Sequence, residues 1–197
     1  MRSNRNIYGV TSSPLHELAM ELKTPSVEID VGLFLRFFCK TAKPVNILEI
    51  GCGIGVSTRY MAEAAPDARI TALDHNHVRL AQAREIAVGI KNITFIQSEG
   101  VEFMRNSTEK YDLIFIDSVK KDYPVMYHYA ENLLTDKGAV IMDDVFCYGY
   151  IFCEDCEIPD KYRALAGVFR DFLYRIKYTR DHSILPIGGG VLVTYRG

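Results

Sequence analysis

Residues 46–57, NILEIGCGIGVS, constrain the fold more than any other stretch of the chain. The apolar run 47–50 ends on glycines at alternate positions, Gly51, Gly53 and Gly55, and a helix-compatible segment follows directly. A strand that breaks into a glycine turn and then a helix lets a ligand approach the backbone closely. The unpaired N–H groups at the helix start then face it. The stretch therefore predicts a strand-turn-helix unit that holds a nucleotide-like ligand.

The same unit recurs downstream. Strands are predicted at 46–50, 69–74, 93–97, 111–117 (YDLIFID) and 139–143, and helices at 56–64, 78–88, 101–105 and 123–134. Turns are expected at 65–67 and at 137–138. The strands are continuous apolar runs, as a parallel sheet covered on both faces requires. Five strand-helix units in succession predict a doubly wound α/β sheet with right-handed crossovers. Upstream, a short helix over 15–22 has Ser12 or Ser13 as cap and Pro14 in its first turn. A second helix over 27–40 carries Val31, Phe34, Leu35 and Phe38 at helical spacing. Residues 1–13 are expected to be loosely ordered. Downstream, 145–160 is irregular and 161–176 helical. Two apolar segments, 183–187 and 191–195, flank Gly188-Gly189-Gly190 and predict an antiparallel β-hairpin that closes the sheet edge. With no linker or repeat, residues 1–197 are expected to form one domain, 1–45 being its N-terminal helical segment.

With 197 residues the chain can bury a full core. The net charge is −2 and there is no basic run, so an obligatory nucleic-acid partner is disfavoured. The N-terminus MRSNRNIYGV lacks the apolar core of a secretory signal, and no run is long enough to span a membrane. Five cysteines form no disulfide framework, which fits a reducing cytoplasm. The single Cys153-x-x-Cys156 pair is half a zinc site without a second half, so reduced thiols are expected there.

The glycine spacing narrows the ligand. Dinucleotide sites use G-x-G-x-x-G, and Val56 stands where the third glycine would fall. Glu49, two residues before Gly51, can accept from an amine such as the α-amino group of a methionine moiety. Asp74, at the end of the second strand, fits an acceptor for ribose hydroxyls, a role that nicotinamide sites share. The combination favours S-adenosylmethionine over a nicotinamide cofactor.

These residues carry a family resemblance. E-x-G-x-G-x-G after the first strand, with an acidic end to the second, resembles the class I S-adenosylmethionine-dependent methyltransferases. Together with YDLIFIDSVKKDY (111–123), IMDDV (141–145) and LPIGGG, it is similar to the cation-dependent O-methyltransferases, which include the catechol and caffeoyl-CoA enzymes. The likeness runs from about Val27 to the C-terminus. It implies a mostly parallel seven-stranded Rossmann-like methyltransferase sheet and a homodimer. It also implies cofactor contacts from Val27, Glu49, Gly51, Ser57, Asp74, Ser98, Gly100 and Asp117, with Ser98 and Glu99 passing the adenine. His75 is expected near the ribose or adenine, and His77 on the surface.

Asp117 ends the fourth strand, and Asp143 and Asp144 end the fifth. In a doubly wound sheet these ends lie side by side, and three converging carboxylates repel one another unless a cation bridges them. Oxygen-only ligands suit Mg²⁺ first, with Mn²⁺ or Ca²⁺ as alternatives. The plainer reading is that some of the three cap the following turn. Asp144 departs from the family, which usually has Asn there, and adds negative charge. Lys120 matches the family's D-x-x-K pattern and its candidate general base. A divalent cation and a sulfonium nearby are expected to lower its pKa and free it to take a proton. Lys121 is expected to be a solvated surface residue. The predicted reaction is methyl transfer to a hydroxyl of a small aromatic acceptor, most simply one of two vicinal hydroxyls that chelate the metal. Residues 145–159, with Tyr148, Tyr150 and Phe152, should form much of its pocket, with help from the N-terminal segment. The competing readings are a metal-independent methyltransferase and a cofactor-binding protein without turnover.

Overall fold

A computed structural model of the protein describes residues 13–179 and 181–196. The expectation of loose order for the N-terminal residues falls, for 1–12, outside the described residues. Seven strands make one sheet in the order β3-β2-β1-β4-β5-β7-β6. They are β1 (Asn46–Ile50), β2 (Arg69–Asp74), β3 (Ile93–Gln97), β4 (Tyr111–Ile116), β5 (Leu134–Met142), β6 (His182–Leu185) and β7 (Val191–Tyr195). The first five are parallel, and β7 runs antiparallel to both β5 and β6. The chain winds outward from β1 through β2 to β3, then returns to the other side of β1 as β4. The crevice where ligands bind in such sheets therefore lies at the carboxyl ends of β1 and β4.

The continuous apolar strands are explained by two separate cores. Side chains alternate across a strand. Ile47, Leu113, Phe115 and Ile141 face one layer, while Leu48, Ile50, Ile114, Ile116 and Met142 face the other. The first layer holds α2 (Ile29–Ala42) and α3 (Val56–Ala64), through Val31, Leu35, Phe38 and Met61. The second holds α6 (Tyr123–Leu133) and α7 (Asp160–Thr179). There Tyr123 packs on Phe169 and Tyr127 on Phe172, each with ring centroids 5.4 Å apart. Burying each such side chain contributes roughly 1.5–3 kcal/mol. Only the central strands follow the pattern fully: β1 is buried throughout, whereas β3 and β6 at the sheet edges are half-buried or exposed.

Several boundaries depart from expectation, most by one or two residues. The second helix begins at Ile29 rather than 27, because Glu28 is extended at φ −65°, ψ 159°. The Val27 carbonyl accepts from Nε2 of His16 on α1 (Pro14–Glu21), 3.0 Å away, so this segment is pinned to the first helix. The fifth strand begins at Leu134, not 139. The expected turn at 137–138 is an irregularity within β5, whose register on β4 shifts between Tyr111↔Leu134 and Leu113↔Ala139. Gly138 permits that shift, since a Cβ there would lie 2.9 Å from the Tyr111 carbonyl oxygen. The hairpin strand β6 ends at Leu185 rather than 187. Among the described residues, no helix is long and apolar enough to cross a membrane.

Candidate active site

The glycine turn is pressed against the end of β4. Gly51 has φ +90°, and a Cβ on it would lie 1.9 Å from the backbone oxygen of Asp117. The Gly51 and Cys52 N–H groups both donate to the Leu73 carbonyl at 2.8 Å, which ties the turn to β2. Asp74 is buried and completes the fastening. One of its oxygens accepts from Gly53 N–H at 2.9 Å and the other from Asn76 N–H at 2.8 Å. Asn76 in turn caps α4 (His77–Ile86) by accepting from Val78 and Arg79. A narrow crevice results, lined by Gly51, Asp74, His75, Ser98, Glu99, Gly100 and Ser118 among others. Four of the predicted cofactor residues, Gly51, Asp74, Ser98 and Gly100, therefore meet in one place. Gly100, at the start of α5 (Gly100–Asn106), has no room for a side chain: a Cβ would lie 2.4 Å from Cγ2 of Ile50.

Val27, Glu49 and Ser57 are not among the lining of this crevice. Val27 is buried in the first core layer. Glu49 is wholly buried, and the hydroxyls of Ser57 and Thr58 each donate to one of its carboxylate oxygens at 2.5 Å. Glu49 was expected to accept from an amine. Both its oxygens already take hydrogen bonds from the first turn of α3, and Thr58 is a partner that the sequence reading missed. Burial pushes the Glu49 carboxyl up to about 7. The two hydroxyls oppose that rise, and the charges of Asp117 and Asp74 reinforce it.

Asp117 follows the end of β4, and Asp143 and Asp144 follow the end of β5. Asp143 is buried and Asp117 half-buried. Burial first, then the repulsion of Asp144, pushes Asp117 up to about 7. Burial, then Asp117 and Asp144, pushes Asp143 up to about 8. Asp144 takes a left-handed φ of +58°, and its Oδ2 accepts from the Lys120 ammonium at 2.6 Å. Burial lowers the pKa of Lys120, but the hydrogen bond and charge of Asp144, with Asp117 and Tyr148, outweigh it and leave the pKa raised. In the chain alone the lysine's nearest neighbours are anions, and they hold its proton on; the expected lowering depends on a cation and a sulfonium beside it. Lys121 is exposed, as expected, and so is His77. Among the described residues, no three His, Cys, Asp or Glu side chains stand close enough together to form a ready metal-binding group.

Beside this cluster lies a cavity of about 430 Å³ lined by Glu28, Asp144, Phe146, Tyr148, Gly149, Gly188 and Gly189. The backbone that shapes it is strained. Cys147 and Tyr148 are left-handed at φ +49° and +61°, a conformation costing on the order of 1–3 kcal/mol per residue. The triple glycine is more than a hairpin turn, because Val145 and Phe146 donate to the carbonyls of Gly190 and Gly189 at 3.0 and 2.9 Å. A Cβ on Gly189 would lie 1.9 Å from Oδ1 of Asp144, and one on Gly188 would lie 3.2 Å from Oε2 of Glu28. Phe146, Tyr148 and Gly149 fall within the 145–159 stretch expected to line the pocket, and Glu28 within the N-terminal segment expected to help. Gly188 and Gly189 were not expected there; their only signal was a glycine triplet longer than a tight hairpin needs.

A family model described as O-methyltransferase matches residues 13–196. The chain belongs to that family. A candidate caffeoyl-CoA O-methyltransferase of Arabidopsis thaliana is 26% identical over 202 residues, covering 92% of this chain and 87% of the relative. A catechol O-methyltransferase of Niastella koreensis is 28% identical over 142 residues, covering 68% of this chain and 64% of the relative. Among solved structures, a candidate caffeoyl-CoA O-methyltransferase of Staphylococcus aureus superposes with a TM-score of 0.84 at 24% identity, covering 94% of this chain and 93% of the other. The protein is thus a class I S-adenosylmethionine-dependent O-methyltransferase.

Glu49 gives this O-methyltransferase a testable pH dependence. Its folded pKa, about 7, lies above the ordinary value of 4.5. The folded state therefore binds more protons than the unfolded state between these values, and stability falls as pH rises through that window. Two and a half pKa steps correspond to on the order of 3 kcal/mol. Glu49→Gln keeps the shape and removes the buried charge. The variant is expected to melt above the wild type at pH 8, with the gap closing by pH 5. A melting difference that stays constant across that range would contradict the buried charge.

Proposed function

We propose that this O-methyltransferase methylates one hydroxyl of a small catechol-like aromatic acceptor, with a divalent cation assisting. The observation that carries the reading is the adjacency of the two half-sites. The turn at Gly51 touches the backbone of Asp117, while Asp144, on the wall of the cavity alongside, pairs with Lys120 at 2.6 Å. The names of relatives that act on catechol and caffeoyl-CoA support the same acceptor class. S-adenosylmethionine supplies an electrophilic methyl, and a bound divalent cation supplies positive charge that favours an ionised hydroxyl.

The chain's own residues divide the remaining work. Gly51, Asp74, Ser98 and Gly100 line the crevice for the cofactor. Asp117, Asp143 and Asp144 offer only oxygen donors, which fits a hard cation such as Mg²⁺. Their raised carboxyls fit it too: burial first, then the repulsion of neighbouring carboxylates, pushes Asp117 and Asp143 up to about 7 and 8, and a cation offsets both. Lys120, held by Asp144 on the cavity wall, is the group assigned to take the proton of the acceptor hydroxyl. Phe146 and Tyr148 provide an aromatic wall for the ring.

One observation favours a second reading. The Lys120 ammonium already brings a positive charge to the carboxylates, so transfer without a metal is chemically coherent. Titrating methyl transfer to catechol against EDTA and then Mg²⁺ separates the two. A loss of at least about a hundredfold, restored by Mg²⁺, is the expected result. Full activity in excess chelator would establish the second reading. Asp144→Asn provides a further check. It removes the charge that raises Lys120, so the acidic limb of the pH–rate profile should move to lower pH and the preference among divalent metals should change. An unmoved limb would mean that Asp144 does not control the lysine.

A further inference from the structure

The geometry points to Arg170, on α7, as the positioning residue that holds the acceptor wall in its strained shape and thereby sets acceptor affinity. The inference rests on the reading that the cavity beside Asp144 takes the acceptor.

The segment after β5 leaves the sheet, so its carbonyls lack ladder partners. Local turns pair some of them, Gly149 N–H donating to the Phe146 carbonyl at 2.9 Å and Cys153 N–H to that of Tyr150 at 3.2 Å, and one guanidinium gathers the end of the segment. Arg170 Nε donates to the Ile151 carbonyl at 3.1 Å and Nη2 to the Tyr150 carbonyl at 3.2 Å. Nη2 also donates to the Cys153 carbonyl. Nη1 pairs with Asp155 Oδ1 at 2.6 Å. The forked, planar donor set of arginine suits several acceptors at once, which a lysine cannot match. The main chain from 150 to 153 is thus gathered onto one point of α7.

The cavity wall hangs from that point. Phe146 packs edge-on against Phe152, ring centroids 4.9 Å apart. Tyr148 contacts Tyr150 at 6.4 Å and Tyr162 at 5.4 Å, and Tyr150 stacks on Tyr162 at 5.2 Å. Phe146 therefore leans on Phe152, within the stretch that Arg170 holds, and Tyr148 leans on Tyr150, whose carbonyl Arg170 bonds, and on Tyr162 of α7. Between them lies the stretch with Cys147 at φ +49°, Tyr148 at +61° and Gly149 at +86°. Residues in such conformations persist only where their surroundings over-determine them. The Lys120 ammonium lies 5.4 Å from the Tyr148 ring, so the same wall flanks the lysine. Asp155 is largely exposed, so its ion pair is the weaker part of the clamp and the carbonyl bonds are the stronger.

The test compares Arg170→Met, Arg170→Lys and Asp155→Asn in the full chain, with catechol as the acceptor probe. Three quantities are read: the calorimetric Kd for S-adenosylmethionine, KM and kcat for catechol, and amide exchange over residues 147–153. For Arg170→Met, exchange in that segment should rise about tenfold and catechol KM about tenfold, with kcat and the cofactor Kd nearly unchanged. Arg170→Lys should fall between, and Asp155→Asn should stay close to wild type. Unchanged exchange and KM in Arg170→Met would overturn the assignment. So would a parallel loss of cofactor affinity with faster exchange in β1 and β4, which marks a general structural role. A loss in Asp155→Asn as large as in Arg170→Met would overturn the carbonyl clamp in favour of the ion pair. If the wild type methylates no catechol, the acceptor reading fails by itself, and the exchange measurement still decides whether Arg170 holds the segment.

Discussion

Gly51→Ala is expected to remove cofactor binding and to destabilise the protein by on the order of 4 kcal/mol or more. Two independent effects combine. The residue sits at φ +90°, where an L side chain is strained, and its Cβ would lie 1.9 Å from the Asp117 backbone oxygen. Neither partner is a flexible side chain, so relief requires the ends of β1 and β4 to separate. Those ends carry the crevice on one side and Asp117 on the other, and their separation disassembles both half-sites. Against a total stability of about 5–15 kcal/mol this is a large fraction. Gly53→Ala is the natural comparison. Gly53 also has positive φ, at +55°, but its nearest neighbour to a new Cβ is 3.5 Å away. It should cost only about 1 kcal/mol, the strain of the left-handed conformation alone. Chemical denaturation and calorimetric titration with S-adenosylmethionine read both quantities. A Gly51→Ala protein with near-native stability and cofactor affinity would refute the argument.

The second large effect is expected at Lys120. Lys120→Met should lower turnover by about 10²–10⁴, the usual span for removing a positioned general base, while cofactor affinity stays at the wild-type level. The structure makes the residue's task demanding. Lys120 lies in a short helical turn over 120–122, and its side chain is only 15% exposed. In the chain alone the anions beside it hold its proton on, so the proton-accepting form depends on positive charge brought into the site and on pH. The rate should therefore climb with pH until the lysine titrates, and Lys120→Met should flatten that climb. Lys120→Arg should fail to rescue, because a guanidinium keeps its proton. Near-wild-type turnover in Lys120→Met would remove Lys120 from the proton transfer. A parallel collapse of cofactor binding would recast it as structural.

These expectations draw on unequal amounts of sequence. The bounds of β1, β2, β3 and β7 and of α3 agree with the periodicity reading residue for residue. So does the carboxyl-end placement of Asp74, Asp117, Asp143 and Asp144. β5 was misjudged because Lys137-Gly138 looks like a turn locally, whereas the pairing of Leu134 with Tyr111 is a long-range fact. The ion pair of Lys120 with Asp144 carried no sequence signal, since D-x-x-K spacing says nothing of a partner 24 residues away. Glu28 and Arg170 carried no pattern at all: one ends an extended segment before α2, and the other is one of several charged positions along α7.

By itself, the sequence determined the alternation of strands and helices, the glycine turn, and the presence of acidic residues at strand ends. These follow from near-neighbour chemistry: apolar period, backbone freedom and the break from strand to helix. The tertiary structure alone decided which side chains meet. Glu49 is sealed by Ser57 and Thr58, Lys120 is paired with Asp144, and the triple glycine faces Glu28 and Asp144. Those contacts join residues far apart along the chain, and their distances and pKa shifts depend on burial that exists only once both layers of the sheet are covered.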